Sequence, residues 1–293
     1  MKRKQFIQSL AILPFTGTFM KLKALNKING TFTSTEKMPV LFLGHGSPMN
    51  AIEENEFVSG FRKVGNEITK PNAIMCISAH WETRGTQVTA MQNPRTIHDF
   101  RGFPKELYEV QYPANGSPEL AQETQRAISQ TEVHLDEHWG LDHGTWSVIK
   151  HMYPDADVPV IQLSLDYTKP ASYHFELARQ LSPLREKGIL IVGSGNIVHN
   201  LGKIDWQRLN DYFGYDWANE ANTKIKGLIE NGDFAALINY EKLGSAFKLA
   251  IPTPEHYLPL LYILALQRKQ EAISFFNDKA IGGSISMTSV KIE

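Results

Sequence analysis

Ten histidines and one cysteine set the chemistry open to this chain of 293 residues. Cys76 alone can neither close an internal disulfide nor build a thiolate zinc cluster. A metal site would therefore draw on imidazoles and carboxylates. Two histidines stand just past the C-terminal ends of apolar runs that read as buried strands. One is His45 in Leu43-Gly44-His45-Gly46-Ser47-Pro48, and the other is His80 in Ser78-Ala79-His80-Trp81. His199 follows a third such run, in Gly193-Ser194-Gly195-Asn196-Ile197-Val198-His199-Asn200. His256 follows Pro252-Thr253-Pro254-Glu255 at the start of a predicted helix. Ligands of open α/β sheets bind at the carboxyl ends of strands. Neutral imidazoles converging there make an open site for zinc or iron. One such histidine alone is more often a hydrogen-bonded loop residue; several together favour a site.

The other histidines divide further. His143 lies in Trp139-Gly140-Leu141-Asp142-His143-Gly144-Thr145-Trp146, which reads as a glycine-bounded aromatic loop suited to a cleft. His98 opens His98-Asp99-Phe100-Arg101-Gly102-Phe103-Pro104, and the stretch to Tyr112 is rich in Phe, Tyr, Pro and Gly. His134, His138, His151 and His174 have no such setting and read as structural or surface residues. Rival motifs fail in detail. Gly193-Ser194-Gly195 and Gly44-His45-Gly46 carry Val198 and Met49 where a dinucleotide loop needs Gly or Ala. There is no phosphate loop, no G-x-S-x-G elbow for Ser47 or Ser194, and no H-E-x-x-H helix. Cys76 falls within a predicted buried strand, a place for inert packing.

These residues need elements to position them. Pro39–Leu43, Ala73–Ala79, Val158–Leu165 and Gly188–Val192 are short apolar runs bounded by turn residues, the pattern of buried strands. Gln87–Met91 and Ser284–Ile292 alternate as strands do. Helices are predicted over Phe57–Ile68, from Ser117-Pro118-Glu119 with Ser117 as cap, from Tyr173 to Leu181, over Trp217–Ile229 and over His256–Gln267. Strands and helices alternate, so the expected fold is α/β, a three-layer sandwich on a mostly parallel or mixed sheet.

Lys+Arg is 30 and Asp+Glu is 31, a net charge of -1, which disfavours a nucleic-acid partner. No apolar run reaches the roughly 18 residues of a spanning helix, so no membrane segment is expected. Residues 1–37 stand apart as an N-terminal extension. A basic start at Lys2, Arg3 and Lys4 precedes the moderately apolar Phe6–Met20, in the layout of a weak secretory signal. Arg3-Lys4-Gln5-Phe6-Ile7 resembles a twin-arginine export signal with its second arginine replaced by lysine. A disordered extension with no address is the competing reading. The remaining 38–293 reads as one domain.

The motifs taken together, Gly44-His45-Gly46-Ser47-Pro48, Ser78-Ala79-His80-Trp81, His98-Asp99-Phe100 with Gly102-Phe103-Pro104, Leu141-Asp142-His143-Gly144 with Trp146, Gly193-Ser194-Gly195-Asn196 with His199-Asn200, and Pro252-Thr253-Pro254-Glu255-His256-Tyr257, resemble those of the class III extradiol ring-cleavage dioxygenases. Within them the chain looks most like the 4,5-DOPA dioxygenase (LigB-like) subfamily, from about Met38 to the C-terminus. The resemblance implies one divalent metal ion per chain, zinc or Fe(II). His45, His80 and His256 match its metal-binding positions, and His199 matches a histidine that is either a further ligand or the active-site base. Whether Glu255 or its neighbour His256 faces the metal stays open.

The implied substrates are a catechol such as DOPA and O2. His199 would take a phenolic proton, and His143 is the candidate acid for the later cleavage or for a substrate hydrogen bond; its other role would be to support a ligand. The stretch from His98 to Tyr112 would then be a lid or wall over the aromatic substrate, or else a packed surface loop. The alternative is a zinc-dependent hydrolase using the same histidines to activate water, and beyond it a metal-binding module without turnover. Location would be cytoplasmic by the resemblance, or periplasmic if the N-terminal segment works as an export signal.

Overall fold

The computed structural model describes residues 32–209 and 211–293. The signal-like part of the N-terminal extension, residues 1–31, lies outside the described residues. The rest of that extension lies against the body: the Thr35 amide donates to Glu186 O at 2.7 Å, and Phe32 packs on the core.

Apolar runs become strands where the sequence alternates or stays buried on both faces. In chain order the strands are β1 (Val40–Gly44), β2 (Ala73–Thr83), β3 (Thr86–Thr89), β4 (Val133–Asp136), β5 (Val160–Asp166), β6 (Ile189–Gly195), β7 (Ile273–Phe276), β8 (Ala280–Ile281), β9 (Ile285–Ser286) and β10 (Ser289–Ile292). The α-helices are α1 (Glu56–Glu67), α2 (Lys105–Tyr108), α3 (Pro118–Ala127), α4 (His143–Met152), α5 (Ala171–Arg179), α6 (Asp216–Glu230), α7 (Phe234–Ile238), α8 (Ser245–Ala250) and α9 (Leu258–Ala265). One eight-stranded mixed sheet runs β4-β3-β5-β2-β6-β1-β10-β7. Its centre is parallel: β2 pairs in parallel with β5 and β6, and β1 with β6. Antiparallel β10 and β7 close one flank.

Alternation along each central strand builds two cores. Val40, Phe42, Met75, Ile77, Ile189 and Ile191 face a layer containing α3, α5, α6 and α9. Leu41, Leu43, Ile74, Cys76, Leu190 and Val192 face α1 and α4. Successive strand residues point to opposite faces, so a sheet buried on both sides needs unbroken apolar runs. The result is the expected α/β sandwich. Cys76 is buried with its thiol pushed up by desolvation and held by the Thr145 hydroxyl at 3.3 Å, which suits inert packing.

Three expectations are corrected. The Trp139–Trp146 segment is not a loop throughout: α4 starts at His143, because Asp142 caps it by accepting from the Thr145 amide at 3.1 Å. His80 is not past a strand end. β2 runs on to Thr83, and its pairing with β5 jumps from Ile77 to Glu82, so His80 rides a bulge that re-aims it. His256 sits in the turn before α9 rather than on it, since Pro259 fixes the helix start later.

The body is also tied by a buried ion pair. Arg185 is fully buried and donates to Glu271 at 2.6 and 3.0 Å, and to the carbonyls of Met38 and Leu266. Lys37 adds a second cation. Burial raises the Glu271 carboxyl, but Arg185 and Lys37 outweigh it and hold it at about 2, against an ordinary 4.5. A depressed acid contributes stability above its unfolded value and loses it as pH falls toward the folded one. Glu271→Gln should therefore cost about 3 kcal/mol at neutral pH by leaving a buried guanidinium unpaired. The gap between wild type and variant in urea unfolding should close as pH falls from 4.5 toward 2; a constant gap would contradict the assignment.

Candidate metal centre

The strand order brings the sequence-predicted histidines together. β1, β6 and β2 are adjacent and parallel. Their C-terminal ends therefore emerge side by side, at the edge where α/β folds bind ligands. His45 leaves β1 and its amide donates to Gly195 O at the end of β6, 3.1 Å away. The Asn50 amide side chain holds the His45 carbonyl at 2.9 Å. His256 joins from its turn: its carbonyl accepts from the Asn196 amide at 2.9 Å. That approach requires glycine, because a Cβ on Gly195 would lie 2.2 Å from His256 O. Gly144 meets the same need on the other side, where a Cβ would lie 2.6 Å from Ser78 Oγ and 2.8 Å from His80 Cδ2.

The rings form one cluster. The His45 ring centroid lies 5.0 Å from that of His80, 5.3 Å from His256 and 5.7 Å from His143. His80 and His143 are 3.9 Å apart. His199 stacks on His256 at 3.5 Å with 9° between planes. One ring nitrogen each from His45, His80 and His256 lies within 4.8 Å of the others.

Neighbours decide which nitrogen each imidazole turns inward. The Ser194 hydroxyl donates to Gly144 O, so it accepts from His45 Nδ1–H at 2.9 Å. His45 Nε2 is thereby left with its lone pair. Glu255 Oε1 accepts from His256 Nδ1–H at 3.1 Å and from the Thr253 hydroxyl at 2.9 Å. His256 Nε2 is buried and has no hydrogen-bond partner. His80 Nε2 lies 3.2 Å from His45 Nε2. Two metal–imidazole bonds of about 2.0–2.1 Å at a tetrahedral angle separate their nitrogens by about 3.3 Å. The orphaned Nε2 and the close pair therefore fit a metal ion. In this arrangement the Glu255 carboxylate lies behind the His256 imidazole, on its Nδ1 side. Another set of donors, His199, Glu255 and His256, also lies within reach of one ion.

Burial keeps these imidazoles neutral, the form that ligates. It pushes His45 and His256 well below the ordinary histidine value, with neighbouring histidines adding to the effect. His80 is pushed to about 3 by burial and then by His143. His199 is pushed to about 4 by burial, against the pull of Glu255.

Two acids to which the sequence alone assigns no role complete the centre. Asp142 is fully buried and accepts from Ser78 Oγ at 2.7 Å and from Gln162 Nε2 at 2.6 Å. It ties the start of α4 to β2 just before His80, and burial raises its carboxyl. Asp99 accepts from the His143 amide and from His143 Nδ1–H, both at 2.9 Å, and lies 3.5 Å from His80 Nδ1. Burial raises the Asp99 carboxyl, but His143 outweighs it and holds it below the ordinary range. No spacing rule connects position 99 to 143, so only the folded chain reveals the pair.

The 98–112 segment is a packed wall. Tyr112 and Leu107 are buried, and Phe100 meets the edge of the His143 ring at 5.5 Å while packing with Phe103, Tyr108 and Trp146. Of the histidines read as structural, His151 donates to Asn50 O at 2.7 Å and His174 pairs with the Tyr262 hydroxyl at 3.0 Å, while His134 and His138 are exposed.

The chain is similar to known proteins over most of its length. Residues 39–280 match the model of the catalytic LigB subunit of aromatic ring-opening dioxygenase. A 4,5-DOPA dioxygenase extradiol of Escherichia coli (strain K12) is 48% identical over 88% of this chain and 96% of its own. One from Beta vulgaris is 36% identical over 85% and 94%. A crystal structure of an uncharacterized Escherichia coli K12 protein superposes with TM-score 0.77 at 44% identity, covering 88% of this chain and 100% of the other.

The crossing at Gly195 yields a test. Gly195→Ala should force the His256 turn off β6 and cost about 1–3 kcal/mol of stability. The measurement is the urea midpoint, and an unchanged midpoint would show that this crossing is not tight.

Proposed function

The chain belongs to the family of the catalytic LigB subunit of aromatic ring-opening dioxygenases, and from that premise we propose that its histidine cluster holds one Fe(II) and serves a catechol with a polar side chain, such as DOPA. It is a metal-dependent extradiol dioxygenase, and O2 is its second substrate. The observation that carries the site assignment is the buried, unpartnered Nε2 of His256 beside the close Nε2 pair of His45 and His80. These three residues would hold the ion. Fe(II) held there would supply a redox-active Lewis acid for the reaction of the catechol with dioxygen. Zinc suits the same imidazoles but cannot change redox state, so it would fill the site without supporting oxygen chemistry.

The chain's own residues bind, orient and move protons. His199 is the base: its neutral ring, stacked on His256, accepts a phenolic proton as the catechol enters. His143 presents Nε2 to the reacting oxygens while Asp99 holds its Nδ1–H. Its Nε2 takes the second phenolic proton of the catechol, and the resulting imidazolium gives that proton back to the product oxygen as the ring opens. Phe100 lies across the edge of the His143 ring and gives the aromatic substrate an apolar wall. A zinc-dependent hydrolase using the same donors is not favoured, because the family match is to oxygen-dependent ring opening.

Protein purified without chelator and loaded with Fe(II) under argon should take up oxygen on addition of a catechol and form a yellow ring-opened product. The zinc-loaded protein should do neither. No oxygen uptake with any catechol would remove the reading. His45→Ala should lose the bound metal, measured as metal per chain; full retention would break the ligand assignment.

A further inference from the structure

Among the described residues, Asp99 is the carboxylate that touches both a proposed ligand and the proposed proton carrier, and it does so with an asymmetry. Its Oδ1 accepts from the His143 backbone amide and its Oδ2 from His143 Nδ1–H, each at 2.9 Å. The contact to His80 Nδ1 is longer, at 3.5 Å. Two bonds from one carboxylate to one residue fix both where the residue sits and how its ring is turned. The backbone bond also places the negative charge at the N-terminal end of α4, where the helix dipole favours it. His143 is 6% exposed, so water does not compete freely for its Nδ1.

The second consequence is the tautomer. A carboxylate offers only acceptors. Nδ1 of a neutral His143 must then carry the proton, and Nε2 must carry the lone pair. Its ring stands 3.9 Å from that of His80 and 5.7 Å from that of His45, so His143 lines the same cavity as the proposed ligands. Asp99 also belongs to the segment that carries Phe100, whose ring packs on His143 at 5.5 Å. One side chain thus locks the aromatic wall to the start of α4.

We propose that Asp99 is a positioning residue of the ring-opening reaction: it holds His143 as the Nδ1–H tautomer, so that Nε2 meets the substrate as an acceptor, and it joins the aromatic wall segment, residues 98–103, to that histidine. This rests on the dioxygenase reading above, but its structural half does not depend on turnover. Asparagine at 99 keeps the shape and one acceptor. With Oδ1 still on the backbone amide, its NH2 faces His143 Nδ1 and donates to it. The ring must then move its proton to Nε2 and present a donor to the substrate.

The test uses the full chain, zinc-loaded for spectroscopy and Fe(II)-loaded for kinetics. Long-range 1H–15N correlation on the zinc-loaded protein should show His143 protonated at Nδ1 in the wild type and at Nε2 in Asp99→Asn. With metal content unchanged, kcat for a catechol should fall on the order of 100-fold, the scale of a lost proton-transfer partner, with KM moving less than about threefold. Asp99→Asn added to His143→Gln should cost almost nothing further, because the carboxylate acts through that ring. An unchanged tautomer, loss of bound metal, or additive losses in the double variant would each overturn the proposal. Absence of oxygen uptake by the wild type would instead sink the dioxygenase reading, and the tautomer measurement would still decide the role of Asp99.

Discussion

An imidazole presents its Nε2 lone pair to a cavity only while something else holds the proton on Nδ1. The centre of this protein is arranged around that constraint. Ser194 meets it for His45, Glu255 for His256 and Asp99 for His143. Each holder is itself held: Ser194 by the carbonyl of Gly144, Glu255 by the hydroxyl of Thr253, Asp99 by the His143 amide. Hydrogen-bonded supports of this kind fix ring orientation and ligand basicity, and they matter nearly as much as the ligands.

The fold follows from bringing those holders to one place. Three adjacent parallel strands deliver His45, His80 and Ser194 at a common edge. The supports come from elsewhere: Gly144 and Asp142 from the start of α4, Glu255 from the turn before α9, Asp99 from the aromatic wall. Two glycines mark the points where backbone or side chain from another element comes too close for a Cβ. The bulge in β2 then turns His80 toward its partners. Apolar layers on both faces make this edge rigid, since a sheet buried on both sides cannot shift register without exposing its core.

Much of this was legible in the sequence because the signals were local. Apolar runs gave the central strands, and Ser117 and Pro118 gave the start of α3. The positions of His45 and His199 after such runs, of His80 at the end of another as the sequence reads it, and of His256 at a predicted helix start pointed to the cluster. What escaped notice was non-local or a matter of one residue of phase. Asp142 reads as loop until its carboxylate is seen capping α4. Asp99 sits 44 residues from the histidine it binds, and no periodicity encodes that contact. The β2 bulge is a pairing defect between strands, so β2 alone gave no sign that the strand continues past Ala79.

The central claim is that one ion is held through Nε2 of His45, His80 and His256, with His143 and His199 left free for the substrate. Anomalous diffraction from crystals of the Fe(II)-loaded protein tests it most directly. A single iron peak bonded to those three Nε2 atoms, with His143 and His199 unbonded, is the predicted result. Iron bound through Nδ1, or through His143 or His199 in place of any of the three, would contradict it.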